Sequence, residues 1–216
     1  MLAHLTTAFT LLLLFVNLVG LALVAERLTR SYVLARVASP AVLALAAFFL
    51  EHFVGLGELA WAWPLTTLAA GWTIWRRQDV LVRHWKVEAA FIVAFQWAFI
   101  WRTAFPGLVA SSEKLGDLAM IASYMPGHRL PPPDVWLPPY PFDVYYSFQH
   151  YAAALLGRTF ALAPGLAYNV SFCLLTALAI TAAAGAVFAV CRSVPATAFV
   201  VLAFAAGGTG ASIPVH

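Results

Sequence analysis

Residues 5–25 read LTTAFTLLLLFVNLVGLALVA, a stretch without one charged side chain. An α-helix rises about 1.5 Å per residue, so about 20 apolar residues cross the ~30 Å hydrocarbon layer of a bilayer. No basic segment precedes the stretch, and no small-x-small cleavage pattern follows before the next polar residues. It therefore reads as a mature span, not a secretory leader. Working outward, the same pattern recurs at 37–56, 59–75, 87–105 and 166–190. A sixth run begins at Pro195 and fades into Gly207-Gly208-Thr209-Gly210.

Composition agrees with that reading. Hydrophobic residues make up 63% of the 216 and charged ones 10%, against about 25% charged in a soluble domain. A soluble globular enzyme, a disordered chain and a disulfide scaffold are excluded. The net charge of +3 is no nucleic-acid footprint, because the basic residues sit in short clusters between apolar runs, where they report topology. Cys173 and Cys191 lie in apolar stretches and form no C-x-x-C, so neither zinc nor a disulfide is implied.

Lysine and arginine placement orients the chain. Arg27, Arg30 and Arg36 follow the first span, Arg76, Arg77, Arg83 and Lys86 the third, and Arg192 the fifth. All fall on one side if the N-terminus is extracytoplasmic. The segment 106–147 then lies outside as well; it holds four of the nine acidic residues and eight of the thirteen prolines. This count requires that 148–163, which is short and interrupted by Arg158, does not cross but lies along the outer interface. Seven tryptophans near span ends (Trp61, Trp63, Trp72, Trp75, Trp85, Trp97 and Trp101) fit an interfacial belt. The expected architecture is an all-α polytopic transmembrane bundle. Residues 1–105 form four spans, 106–165 an extracytoplasmic acidic, proline-rich loop with interfacial helices, and 166–216 a fifth span and the start of a sixth. The unclosed stretch 211–216 suggests the N-terminal part of a longer chain.

The chemistry concentrates in the outer loop. Ser111 or Ser112 can cap a helix, expected over 118–124, and acids at its start suit the macrodipole. Glu113 and Asp117 are four residues apart and share one helical face. Paired carboxylates can make a general base or a divalent-metal pair; equally, they can form a solvated first turn beside Lys114. Pro131-Pro132-Pro133 stiffens the approach to Asp134 and Trp136, which read as a carboxylate beside an aromatic platform or as a rigid lid. Tyr145, Tyr146 and His150 read as an aromatic belt with a structural histidine, or as a proton carrier or phosphate ligand among tyrosines. Glu51, His52 and Glu58 sit near span ends, close enough to the surface to snorkel. Glu88 and Gln96 suit ties between helices, and the Asn169-Val170-Ser171 sequon lies at the start of a span.

Three runs in order carry a resemblance: Glu113-Lys114-x-x-Asp117, Pro132-Pro133-Asp134-x-Trp136, and Tyr145-Tyr146-x-Phe148-x-His150. Together they resemble the uncharacterised YYY-domain membrane proteins, which are similar in turn to the GT-C class of integral-membrane glycosyltransferases, protein mannosyltransferases among them. Ser147 stands where the third tyrosine of the triplet is expected, Val144 replaces the preceding asparagine, and Gln149 precedes the histidine. The resemblance implies a GT-C-like bundle with a large extracytoplasmic loop, and sugar transfer from a polyprenyl-phosphate donor with inversion. It assigns Glu113, Asp117 and Asp134 to catalysis or a metal. Lys114, Arg129 and His150 would meet the lipid phosphate, with Trp136, Tyr145 and Tyr146 along the substrate path. The implied partners are membrane lipid and the lipid-linked sugar, with no nucleic acid. Two other classes compete: a transporter or flippase for lipid-linked or small polar substrates, built on Glu51, His52 and Glu58, and a non-catalytic membrane assembly subunit.

Overall fold

The computed structural model describes residues 2–104, 112–134, 137–142 and 147–207. Among the described residues the architecture is helical, with nine helices: α1 (Leu2–Thr29), α2 (Tyr32–Glu51), α3 (Ala62–Arg76), α4 (Gln78–Arg83), α5 (Trp85–Ala104), α6 (Ser112–Tyr124), α7 (Ser147–Phe160), α8 (Pro164–Cys191) and α9 (Val194–Gly207). Among these residues, three helices are long and apolar enough to cross a membrane, over Thr7–Thr29, Tyr32–Glu51 and Pro164–Cys191. Two of the other expected spans differ. α3 has 15 residues, roughly 22 Å of helix, and ends at Arg77, whose φ of −126° breaks it from α4. α5 has the length but carries Lys86, Glu88 and Arg102.

The first hairpin is tighter than its charges suggested. α1 runs on through Glu26 and Arg27 to Thr29, and only Arg30 and Ser31 separate it from α2. Arg30 turns the chain at φ 55°, and its N–H closes on the Glu26 carbonyl at 2.8 Å. Ser31 then caps α2, its Oγ accepting from the Leu34 N–H at 3.3 Å. Arg36 is thus inside a helix and fully buried. Its Nε donates to Glu88 Oε1 at 2.8 Å, and its guanidinium stacks 3.8 Å above the Phe91 ring. Tyr32 donates to the same carboxylate at 2.9 Å. Glu88 ties helices together as its position implied; Gln96 is exposed.

Packing sorts the bundle into two ends. α1 and α3 run side by side and parallel: Asn17 Nδ2 donates to Thr67 Oγ1 at 2.7 Å, Gly20 meets Ala70, and Arg77 donates to the Leu23 carbonyl. α5 and α8 run antiparallel around Phe91, Phe95, Cys173 and Ala177, with Phe15 of α1 edge-on to both phenyl rings at 5.9 and 5.0 Å. One end of the bundle therefore gathers Glu26, Arg36, Arg77 and Glu88. The other gathers Glu51, the loop after it, α6, α7 and the first turn of α8.

α7 lies across that second end. Phe148 and Tyr151 contact Phe48 of α2, at ring separations of 5.7 and 5.1 Å, while Arg158 reaches Glu51, less than one turn further along α2. A helix whose two ends meet the same turn of a neighbour runs transverse to it. Ile121, Tyr124, Leu130, Phe142 and Tyr151 pack into a small separate core beneath it.

Candidate functional site

α6 is longer than expected, starting at Ser112 rather than Leu118, so Glu113 and Asp117 do belong to one continuous helix. The side chains of Glu113 and Lys114 lie outside the described residues, as do Trp136, Tyr145 and Tyr146. Asp117 is described, and it is the centre of the site. His150, near the start of α7, donates from Nε2 to Asp117 Oδ1 at 2.9 Å. The Tyr168 hydroxyl, from the first turns of α8, donates to Oδ2 at 3.3 Å. Three helices thus converge on one carboxylate. The His150 side chain is 5% exposed and that of Asp117 34%, so the imidazole is sealed while the carboxylate keeps an open face.

The constellation continues into the bundle. Arg102, at the end of α5, sits 5.1 Å from the Tyr168 ring centroid, and its Nε donates to Asn169 Oδ1 at 2.7 Å. The sequon asparagine is therefore a hydrogen-bond partner of an arginine inside the bundle. Arg102 Nη2 is buried without a hydrogen bond. The Arg102 residue lines a cavity of about 350 Å³ whose other walls are mainly apolar, among them Leu11, Phe95, Phe99 and Leu166. Nothing in the sequence singled out Arg102 or Tyr168. The available signal was an arginine ending a span opposite the tyrosine and asparagine that open the next one.

The other expected residues have local partners. Asp134 Oδ1 accepts from the Leu137 N–H at 3.2 Å, and its own N–H donates to the Tyr140 carbonyl at 2.9 Å, so it shapes the proline-rich turn. Arg129 is exposed and donates from Nε to the His52 carbonyl at 3.0 Å.

Glu51 corrects a reading. It does not snorkel: it is 1% exposed and pairs with Arg158 Nη2 at 2.5 Å. The same guanidinium donates to the Gly57 carbonyl at 2.9 and 2.6 Å, and the Leu56 N–H donates to Glu51 Oε1 at 3.3 Å. Gly127 has φ +68°, and a Cβ there would strike Arg158 and the Gly57 carbonyl, so only glycine closes this knot. Burial pushes the neighbouring Tyr151 hydroxyl far above its usual pKa, and the Glu51 charge adds to the effect.

Among the described residues no three His, Cys, Asp or Glu side chains converge in a way that would hold a metal. Both Asp117 oxygens already have protein donors. The described set does not compose a metal centre.

A family profile described as "Uncharacterized membrane protein (DUF2298)" matches residues 54–213. That region contains Arg102, Asp117, His150, Arg158 and Tyr168. No curated protein and no solved structure matches the chain.

Proposed function

We propose that this chain, which belongs to the DUF2298 family of membrane proteins, is a GT-C-like glycosyltransferase. It would move a sugar from a polyprenyl-phosphate donor to an acceptor hydroxyl on the extracytoplasmic face. One observation carries the reading: Asp117 is half-open on one side and anchored on the other by a buried histidine and a tyrosine from two further helices. A general base needs an accessible oxygen within hydrogen-bond reach of the substrate and a fixed orientation. Asp117 has both.

In this reading the acceptor oxygen attacks the anomeric carbon as its proton passes to Asp117. The C–O bond to the phosphate breaks, and the polyprenyl phosphate leaves with the electron pair. Cationic donors stabilise the charge that builds on the leaving oxygen. Lys114 and Arg129 are the loop's candidates for that role, while His150, sealed against Asp117, orients the base rather than the phosphate. Arg102 joins them, because its buried Nη2 has no hydrogen-bond partner and the residue lines a mainly apolar cavity suited to a lipid chain. Glu113 stands one turn from Asp117 as a second carboxylate, and Trp136, Tyr145 and Tyr146 remain the candidates for sugar contact. A transporter built on Glu51, His52 and Glu58 would have to open the buried Glu51–Arg158 pair.

The test is transfer from a labelled polyprenyl-phosphate sugar by the full-length protein in detergent or liposomes. Asp117→Asn should lower kcat by about 10²–10⁴-fold, and Glu113→Gln should lower it as well. Undiminished transfer by both variants, correctly folded, refutes the assignment.

A further inference from the structure

We propose a second, separate ligand site at the opposite end of the bundle: a seat for the headgroup of an anionic glycerophospholipid. It is a concavity of about 530 Å³ between the last turns of α1 and α3, lined by Val24, Arg27, Trp72, Thr73, Arg76 and Arg77. Three arginines from two helices face one space. The one carboxylate bonded to any of them, Glu26, is taken by Arg77 Nη2 at 2.7 Å. Positive charge there exceeds negative, which calls for an anionic ligand.

Two of the three arginines are preset rather than loose. Arg77 is held by Glu26 and by the Leu23 carbonyl. The Arg76 guanidinium lies 4.6 Å from the Trp72 ring centroid and 5.5 Å from that of Trp75, so cation–π contact fixes it at the rim. Planar guanidinium forks suit phosphate oxygens. Arg27 projects from the last turn of the first candidate span.

The same pocket turns apolar toward the middle of the bundle. Val24 is 52% exposed and Trp72 56%, and both form part of the wall. A cationic mouth above an apolar strip, placed where a spanning helix ends, matches a phosphate that carries acyl chains. Inorganic phosphate would use the arginines and leave the strip unused. This end is also where Arg30, Arg36 and Arg83 gather, the end that charge distribution assigns to the cytoplasmic leaflet.

The experiment is native mass spectrometry of the full protein released from detergent with phosphatidylglycerol or phosphatidylcholine. Phosphatidylglycerol should be retained as one tightly held adduct, and phosphatidylcholine should not. Arg27→Gln/Arg76→Gln should weaken that adduct by roughly tenfold or more, since each arginine near the surface adds to the attraction for anionic lipid. Arg76→Lys, which keeps the charge but loses the fork and the stacking, should fall in between. Arg83→Gln and Arg192→Gln lie outside the pocket walls and should retain the lipid. Three results overturn the proposal: equal retention by the double variant, equal loss in the Arg83 and Arg192 variants, or inorganic phosphate displacing phosphatidylglycerol at equal concentration.

Discussion

An arginine in an apolar helix must find a partner, and Arg158 finds three acceptor contacts in two residues, Glu51 and Gly57. Both ends of the Glu51–Arg158 pair are about 1% exposed. A buried pair costs desolvation to form, but breaking it strands a charge, which typically costs about 3–5 kcal/mol. Arg158→Met should therefore destabilise the protein by about that amount in reversible denaturant unfolding. Glu51→Gln combined with Arg158→Met should lose less than either single change, because no lone charge remains. The sequence displayed Arg158 as an interruption and Glu51 as a span-end acid. Their pairing was not legible, since 107 residues separate them and nothing local connects them. Asp117 and His150 were legible as residue types in a motif. Their 2.9 Å contact rests on the placement of α7, which only tertiary packing sets.

Helix against helix, close approach depends on small residues. A Cβ on Gly20 would come within 2.5 Å of Ala70 Cβ and 2.6 Å of its Cα, which is backbone and cannot swing aside. Gly20→Val should push α1 from α3 and cost about 1–3 kcal/mol. Gly71, one residue past that contact, faces open space. Gly71→Ala should be neutral or stabilising by up to about 1 kcal/mol, because alanine suits a helix better than glycine. Thermal unfolding of the two variants side by side separates contact from propensity. At this scale the apolar runs located every long helix. They missed helix ends wherever charges were paired: Glu26 and Arg36 looked like loop residues but lie inside helices, neutralised by Arg77 and Glu88. Hydropathy cannot see that pairing.

Over the whole molecule, the three candidate spans bury only 22–28% of their residues inside the protein, although they are apolar all round. Water would not tolerate such outer faces, and hydrocarbon does. The ionic ties sit at the two ends, which is the pattern the sparse charges already suggested. The orientation we propose from charge placement has the N-terminus and the 106–147 loop outside. A membrane-impermeant maleimide tests this in intact cells. The exposed native Cys191, at the basic end, should react only after permeabilisation, while a Leu137→Cys variant, at a site 60% exposed in the loop, should react at once. Buried Cys173 should stay silent in both. Labelling of Cys191 in sealed cells would invert the topology.

The Glu51–Arg158 knot also carries a history. A ribosome adding about 5–20 residues per second needs roughly 5–20 s to cover the 107 positions between the two. For that interval α2 is complete, and the arginine that pairs with its terminal acid does not yet exist. The nascent carboxylate must stay in contact with water. The transverse helix can therefore dock only after the first hairpin is made, so synthesis order makes the outer cap the later layer of this molecule.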